Sequence, residues 1–138
     1  MPNYGDPKYW DKRYTEQDGV IYDWLEKYEA LKPIFKDVAN KDTKILVIGC
    51  GNSELSENMY DDGLTNITNI DISSIAIEQM TKRSMARPHM VYKAMDACKM
   101  DAFADGAFNL VVDKSTMDSL LCSEKSYISV AYMMKVCS

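Results

Sequence analysis

Between Lys44 and Ser56 the chain reads Lys44-Ile45-Leu46-Val47-Ile48-Gly49-Cys50-Gly51-Asn52-Ser53-Glu54-Leu55-Ser56. Ile45 to Ile48 is a short unbroken apolar run, the pattern of a strand buried on both faces. Two glycines follow at once, and then a polar stretch with helical character. Strand, glycine turn and helix in that order place free backbone N–H groups and an unencumbered backbone beside whatever the turn holds. Asp71 closes a second apolar segment, Ile67 to Ile70, 22 residues after Gly49 (71 − 49). An acid about 20 residues beyond such a turn suits the two hydroxyls of a ribose.

Two classes of cofactor use this layout. A dinucleotide fingerprint requires Gly or Ala at its third small position, which is Glu54 here. A large acid near a pyrophosphate argues against NAD and FAD. S-adenosylmethionine carries no phosphate and tolerates the loop. The plainer alternative is a strand-to-helix turn whose glycines serve tightness alone.

The rest of the chain repeats the alternation. Asp6-Pro7 marks a helix start, with Trp10 and Tyr14 on one face, and Thr15 to Gly19 reads as a loop. Asp23 caps a second helix, which Pro33 bends or restarts before Ile34, Phe35 and Val38. Leu55 to Tyr60 is a short helix broken at Asp62-Gly63, and Asn66 to Ile70 is the second strand. Ser73 or Ser74 caps a helix with a buried stripe of Ile75, Ile77, Met80 and Ser84, ending at Arg87-Pro88. Met90 to Met95 is the third strand, Asp101 to Gly106 a polar turn, and Phe108 to Val112 the fourth strand. Ser115 to Leu121 is a helical turn, and Ser123 caps a last helix with Tyr127, Ile128, Ala131 and Met134.

Strands alternating with helices predict a parallel α/β sheet with helices on both faces. Ligands of such sheets lie beyond the carboxyl ends of the strands. Gly49, Asp71, Asp96 and Asp113-Lys114 all fall at those ends, so four motifs converge on one rim. At 138 residues the chain reads as one domain, a helical leader over 1–42 and a β/α core over 43–138.

Composition narrows the partners. The net charge is −5 with no basic run, which disfavours nucleic acid and leaves a basic protein substrate open. Cys50, Cys98, Cys122 and Cys137 form no Cys-x-x-Cys pair, and His89 is the single histidine, so no metal site is expected. No apolar run has transmembrane length, and a reducing cytoplasm is the simplest compartment. By packing logic alone, Trp10, Tyr14 and Trp24 would fasten the leader to the sheet. The alternative is an aromatic lid over a cationic ligand.

Several segments together resemble the class I S-adenosylmethionine-dependent methyltransferases. They are Tyr9-Trp10-Asp11-Lys12-Arg13-Tyr14, Tyr22-Asp23-Trp24, Leu46 to Ser53, and Asp113-Lys114-Ser115-Thr116-Met117-Asp118-Ser119-Leu120. They are most similar to the branch that methylates lysine on elongation factor 1-alpha. The resemblance, which runs from Tyr4 to Leu121, implies a protein lysine methyltransferase with S-adenosylmethionine as cofactor and S-adenosylhomocysteine as product. It implies that Trp10, Tyr14 and Trp24 contact the cofactor, reversing the packing preference. It implies that Gly49 lines the methionine moiety, with Gly51 allowing close backbone approach. Asp71 would hold the ribose, Ile72 pack on the adenine, Asp96 read the adenine amino group beside the Ala97 backbone, and Lys114 lie near the cofactor.

The chain also departs from the family pattern. Val47 stands where the family has an acid, and Ser115 replaces a glycine. No Asn-Pro-Pro-Tyr motif follows the fourth strand, so methylation of nucleobase or glutamine nitrogens is not expected. The family fold has seven strands in the order 3-2-1-4-5-7-6, and four are read here, in the order 3-2-1-4. The expectation is therefore the N-terminal half of a Rossmann-like fold, a fragment or a shortened relative. A non-catalytic cofactor-binding module and a small-molecule methyltransferase are the alternatives. A fourth strand left at the edge would also favour self-association.

Overall fold

A computed structural model of the chain describes residues 6–17, 28–100, 103–104 and 106–113. Ile45–Ile48 forms β1, and all four side chains are buried. At about 1.5–3 kcal/mol for each large aliphatic side chain fully buried, this strand is the densest source of stabilisation in the sheet. β1 pairs in parallel with β2 (Ile67–Asp71) on one side and with β4 (Leu110–Asp113) on the other. β3 (Val91–Ala94) pairs in parallel with β2, giving the order β3-β2-β1-β4. The expected order is therefore the observed one.

β1 alternates its contacts between two cores. Ile45 and Val47 face Ile67, Leu55, Met59 and Ile77, together with Tyr28 and Phe35 from the leader. Leu46 and Ile48 face Ile70, Ala97 and Met100, with Phe103, Phe108 and Val111 around them. The first core is roofed by helices α2 (Tyr28–Val38), α3 (Leu55–Asp61) and α4 (Ser74–Arg83). The second is closed, among the described residues, by Met95, Ala97, Cys98, Met100, Phe103 and Phe108, none of which lies in a helix.

Several boundaries differ from those read in the sequence. The first helix, α1, runs Pro7–Gln17 and takes in the expected loop residues Thr15 to Gln17. Thr15 Oγ1 donates to the Asp11 carbonyl at 2.7 Å, the bond to the preceding turn that a threonine hydroxyl can make within a helix. The start is as expected: Asp6 Oδ1 accepts from the Lys8 amide at 2.9 Å, ahead of Pro7. α2 passes through Pro33 without restarting. Tyr28 and Phe35 stack within the helix at 6.1 Å and both pack into the first core, and the Tyr28 hydroxyl donates to Asp62 at 2.6 Å, so packing and this tertiary bond hold the helix across its missing N–H.

α4 ends at Arg83, four residues before Arg87, and its buried stripe contains Ala76 in place of Ile75. Ala76 is fully buried while Ile75 is only half-buried, because the small side chain is the one that lets the helix approach closely. β3 is trimmed at both ends. β4 begins two residues later than expected, because Phe108 leaves the strand to pack edge-on against Phe103, with ring centroids 5.1 Å apart. Asn109 then uses its side-chain oxygen to accept from the Lys44 amide at 2.9 Å, and Asp113 becomes the last strand residue, opposite Ile48. The readings for Trp24, for the Asp23 cap, and for everything from Lys114 to the last helix lie outside the described residues.

Candidate cofactor site

The site starts where β1 ends. Gly49 and Gly51 both take positive φ, 68° and 51°, a region that side chains disfavour. The Gly49 and Cys50 amides both donate to the Ile70 carbonyl, at 2.9 and 3.1 Å, so the turn is clamped to the end of β2. The Gly51 amide donates to Asp71 Oδ2 at 2.8 Å, and the Ser73 amide donates to Asp71 Oδ1 at 2.9 Å. One carboxylate thus ties the glycine turn to the start of α4. Burial raises the Asp71 carboxyl above the usual carboxylate range, and the nearby Asp11 adds to this. The Ser73 and Gly51 amides, and to a lesser degree the Ile72 amide, pull in the opposite direction.

The leader helix reaches this point as well. Ser73 is the N-cap of α4, its hydroxyl accepting from the Ala76 amide at 3.2 Å, and it donates to Asp11 at 2.6 Å. Gln79 of α4 donates to the Tyr14 carbonyl at 3.3 Å. Tyr14 is 5 % exposed and lies directly on the turn: a Cβ built on Gly51 would fall 2.4 Å from the Tyr14 hydroxyl. Burial, with Asp71 and Cys50 adding to it, pushes the Tyr14 phenol up, so it remains a neutral O–H donor. Trp10 stacks near Tyr14, with centroids 6.2 Å apart and planes 29° apart, and the Arg13 guanidinium sits 5.9 Å from the Trp10 ring centre. Packing and ligand contact, posed as alternatives by the sequence, are thus compatible for Tyr14: it is core and rim at once.

At the neighbouring strand end the Met95 amide donates to the Asp71 carbonyl at 2.9 Å, which sets Asp96 next on the rim. Asp96 Oδ1 accepts from the Cys98 amide at 2.8 Å in a local turn, and Ala97 tucks its methyl into the second core. Ile72 is half-buried on the bend between Asp71 and Ser73. Trp10, Tyr14, Gly49, Gly51, Asp71 and Ile72 therefore gather at the carboxyl ends of β1 and β2, and Asp96 and Ala97 just past β3. Trp24 and Lys114 lie outside the described residues. Glu54, the acid that argued against a pyrophosphate, is exposed at the N-cap of α3 and makes no side-chain capping bond. Among the described residues no His, Cys, Asp and Glu cluster could hold a metal ion.

The donor set fits S-adenosylmethionine. An ionised carboxylate has about four acceptor positions. The Gly51 and Ser73 amides take one on each Asp71 oxygen, with the Ile72 amide also favouring the ionised form, and the remaining acceptor capacity suits a ribose diol. Sequence reasoning missed the polar ties behind the turn. Asn69, buried in the middle of β2, donates to the Val91 carbonyl at 3.0 Å and bonds to Ser56. Arg83 and Glu57 form a second tie. Only the oddity of an asparagine inside an apolar strand signalled the first, and nothing periodic signalled the other.

Comparison with known proteins agrees with this geometry. A methyltransferase domain family pattern matches residues 46–132. The mouse eEF1A lysine and N-terminal methyltransferase is 40% identical over 123 residues, covering 88% of this chain and 18% of that protein. The Drosophila melanogaster homologue is 39% identical over 119 residues, covering 85% of this chain and 17% of its own length. Mouse EEF1A lysine methyltransferase 4 is 32% identical over 122 residues, covering 88% of this chain and 48% of that protein. The chain thus spans under a fifth of the first two relatives. Among solved structures, a TehB-like SAM-dependent methyltransferase from Corynebacterium glutamicum superposes with TM-score 0.59 at 15% identity, covering 94% of this chain and 66% of the other. The structure described as converting a disulfide into a thioacetal during echinomycin biosynthesis superposes at 0.70 with 19% identity, covering 96% and 57%. At those identities the likeness is one of fold. With the family pattern over most of its length and the parallel 3-2-1-4 sheet beneath its rim, the chain belongs to the methyltransferase domain family, in its Rossmann-like class I form.

Proposed function

We propose that this chain is an S-adenosylmethionine-dependent methyltransferase that acts on a protein lysine, with an elongation factor 1-alpha-like substrate. The carrying observation is Asp71, a buried carboxylate that fastens the glycine turn to α4 and still has acceptor capacity on the rim. The relatives' names support the substrate class. We place the activity in the cytoplasm and treat residues 1–138 as one domain, with leader 1–42 and core 43–138.

When bound, the cofactor supplies a methyl group on a positively charged sulfonium. Asp71 accepts from the ribose hydroxyls, and Ile72 offers an apolar surface to the adenine. Asp96 and the Ala97 backbone read the adenine edge. Trp10 and Tyr14, with Trp24 and Lys114 by resemblance, border the sulfonium end, where aromatic faces favour positive charge. Gly49 and Gly51 leave the methionine end close to backbone. Transfer to an amine requires an in-line approach at about 3–3.5 Å and a neutral amine. The residues described here bind and orient, and covalent participation by the protein is not needed.

Calorimetric titration tests the reading. The 138-residue chain should bind S-adenosylhomocysteine and not NAD, and labelled S-adenosylmethionine should transfer its methyl to elongation factor 1-alpha. Binding of NAD alone would overturn the cofactor assignment. Cofactor binding without transfer would favour the non-catalytic module, and transfer to a small amine alone would favour the small-molecule enzyme. Self-association belongs to the same proposal: among the described residues β4 pairs only with β1, so its other edge is the surface to probe by sedimentation.

A further inference from the structure

The glycine turn is held from two sides. Asp71 and Tyr14 meet it on the rim, and Arg83 meets it from α3 and α4 behind. Arg83 is the last residue of α4, where a cation also complements the helix dipole. Its Nη2 donates to the carbonyls of Asn52 at 2.9 Å and Ser53 at 3.1 Å, the two residues that follow Gly51. Its Nε donates to Glu57 Oε1 at 2.8 Å, and Nη2 closes on the same oxygen. Glu57, 11 % exposed at its side chain, accepts from Arg87 Nη1 at 3.2 Å with its other oxygen, and Arg87 grips Asp61 at 3.0 and 2.8 Å.

A planar guanidinium suits this task. It has five donors in a fixed fork, and here those on Nε and Nη2 serve two carbonyls and a carboxylate at once. A carbonyl held on one side of a peptide fixes the direction of the next N–H on the other. Holding Asn52 and Ser53 therefore sets the path of the turn beside Gly51. None of these groups lies on the rim, and Arg83 touches neither Asp71 nor Tyr14 through any of these bonds.

We infer that Arg83 is a positioning residue for the methionine end of the cofactor, acting through the Asn52 and Ser53 carbonyls. The inference rests on the proposed reading that Gly49 and Gly51 line that end. It makes a directional statement about ligands. Molecules that keep the amino-acid end should sense Arg83, and molecules that lack it should not.

Titration of S-adenosylhomocysteine against 5′-methylthioadenosine decides the matter, because the second ligand keeps adenine, ribose and thioether but has no amino-acid end. Arg83→Met should weaken S-adenosylhomocysteine by about tenfold, the worth of a lost charge-assisted hydrogen bond, and leave methylthioadenosine within about twofold. Arg83→Lys should recover part of the loss, since a point charge cannot serve all three acceptors. Because Arg83→Met leaves Glu57 half-partnered, the double variant Arg83→Met with Glu57→Leu should be titrated beside it and show the same split. Equal losses for both ligands, or an unchanged affinity for S-adenosylhomocysteine, in a folded variant would overturn the inference. A parent chain that binds neither ligand would overturn the cofactor reading itself, and this inference with it.

Discussion

The rim has two halves built on different plans. Around Asp71 the Ser73 amide is a local tie, two residues on, but the ties that join separate elements span the chain. The Gly51 amide is 20 residues from Asp71, Ser73 reaches 62 residues back to Asp11, and Arg83 reaches about 30 back to Asn52 and Ser53. Around Asp96 the side-chain tie is local, to the Cys98 amide two residues on, and the Asp96 carbonyl accepts from Lys99 at 2.9 Å. The first half exists only when α1, α3, α4 and β2 are all in place. The second is a turn that its own few residues can make. Ribose and methionine recognition should therefore be coupled to global folding, and adenine recognition much less so.

Gly51→Ala should have the largest effect. The new Cβ would meet the Tyr14 hydroxyl at 2.4 Å, and the residue would keep φ at 51°, which costs an L-residue about 1–2 kcal/mol. Thermal unfolding should shift down and S-adenosylhomocysteine binding should disappear by calorimetry. Adding Tyr14→Phe removes the contact and not the φ, so partial recovery of stability separates the two causes. A Gly51→Ala chain that binds normally would break the idea that the first half is pre-shaped.

Asp71→Ala comes next. Loss of hydrogen bonds to a charged group, about 1.5–3 kcal/mol, predicts affinity weaker by tenfold or more. The same residue gives a pH dependence. The ribose hydroxyls donate to the ionised carboxylate, while burial raises its pKa in the free protein above 3.8. Binding should be full above that raised pKa and decline as pH falls through it, with proton release on binding in that window. For folding the sign is opposite: a raised carboxyl pKa favours the folded state below 3.8, and that contribution is lost as pH rises through the folded value. Affinity measured from pH 4 to 8 that is flat, or that rises on acidification, would show that Asp71 does not hold the ribose.

Trp10→Ala should weaken binding by a few-fold to tenfold, in line with the roughly 0.5–2 kcal/mol of an aromatic face on a cation. It should shift thermal unfolding less, because Trp10 is only half-buried whereas Tyr14 is core. The reverse ranking would return the leader aromatics to a packing role. Asp96→Ala should have the smallest effect, roughly threefold on affinity, and it should weaken adenosine and S-adenosylhomocysteine alike. A loss as large as that of Asp71→Ala would erase the distinction between the halves.

The same distinction governs what the sequence could disclose. β1, the glycine turn, Asp71 and the Asp6-Pro7 start are local patterns, and each is found where the pattern put it. The ends of β4 and α4 depart from the sequence pattern because hydrophobicity alone does not assign a residue to a strand or to a buried face. Phe108 is apolar because it packs on Phe103, and Ile75 gives way to Ala76 because closeness to the sheet counts for more than size. Asp11, Asn69, Glu57 and Arg83 were not identified as structural ties because their partners lie 13 to 62 residues away, and no periodicity encodes such pairings.

Cys50 stands between the two glycines, 7 % exposed, and burial raises its thiol well above the usual value. The thiolate is the form that attacks alkylating reagents, so in the closed turn this sulfur is doubly silent, shielded and protonated. Its modification rate then becomes a clock for how often the turn opens. With Cys98, Cys122 and Cys137 replaced by serine, the rate of labelling reads the opening equilibrium directly. A ligand that seats on the turn should slow the clock in proportion to its occupancy.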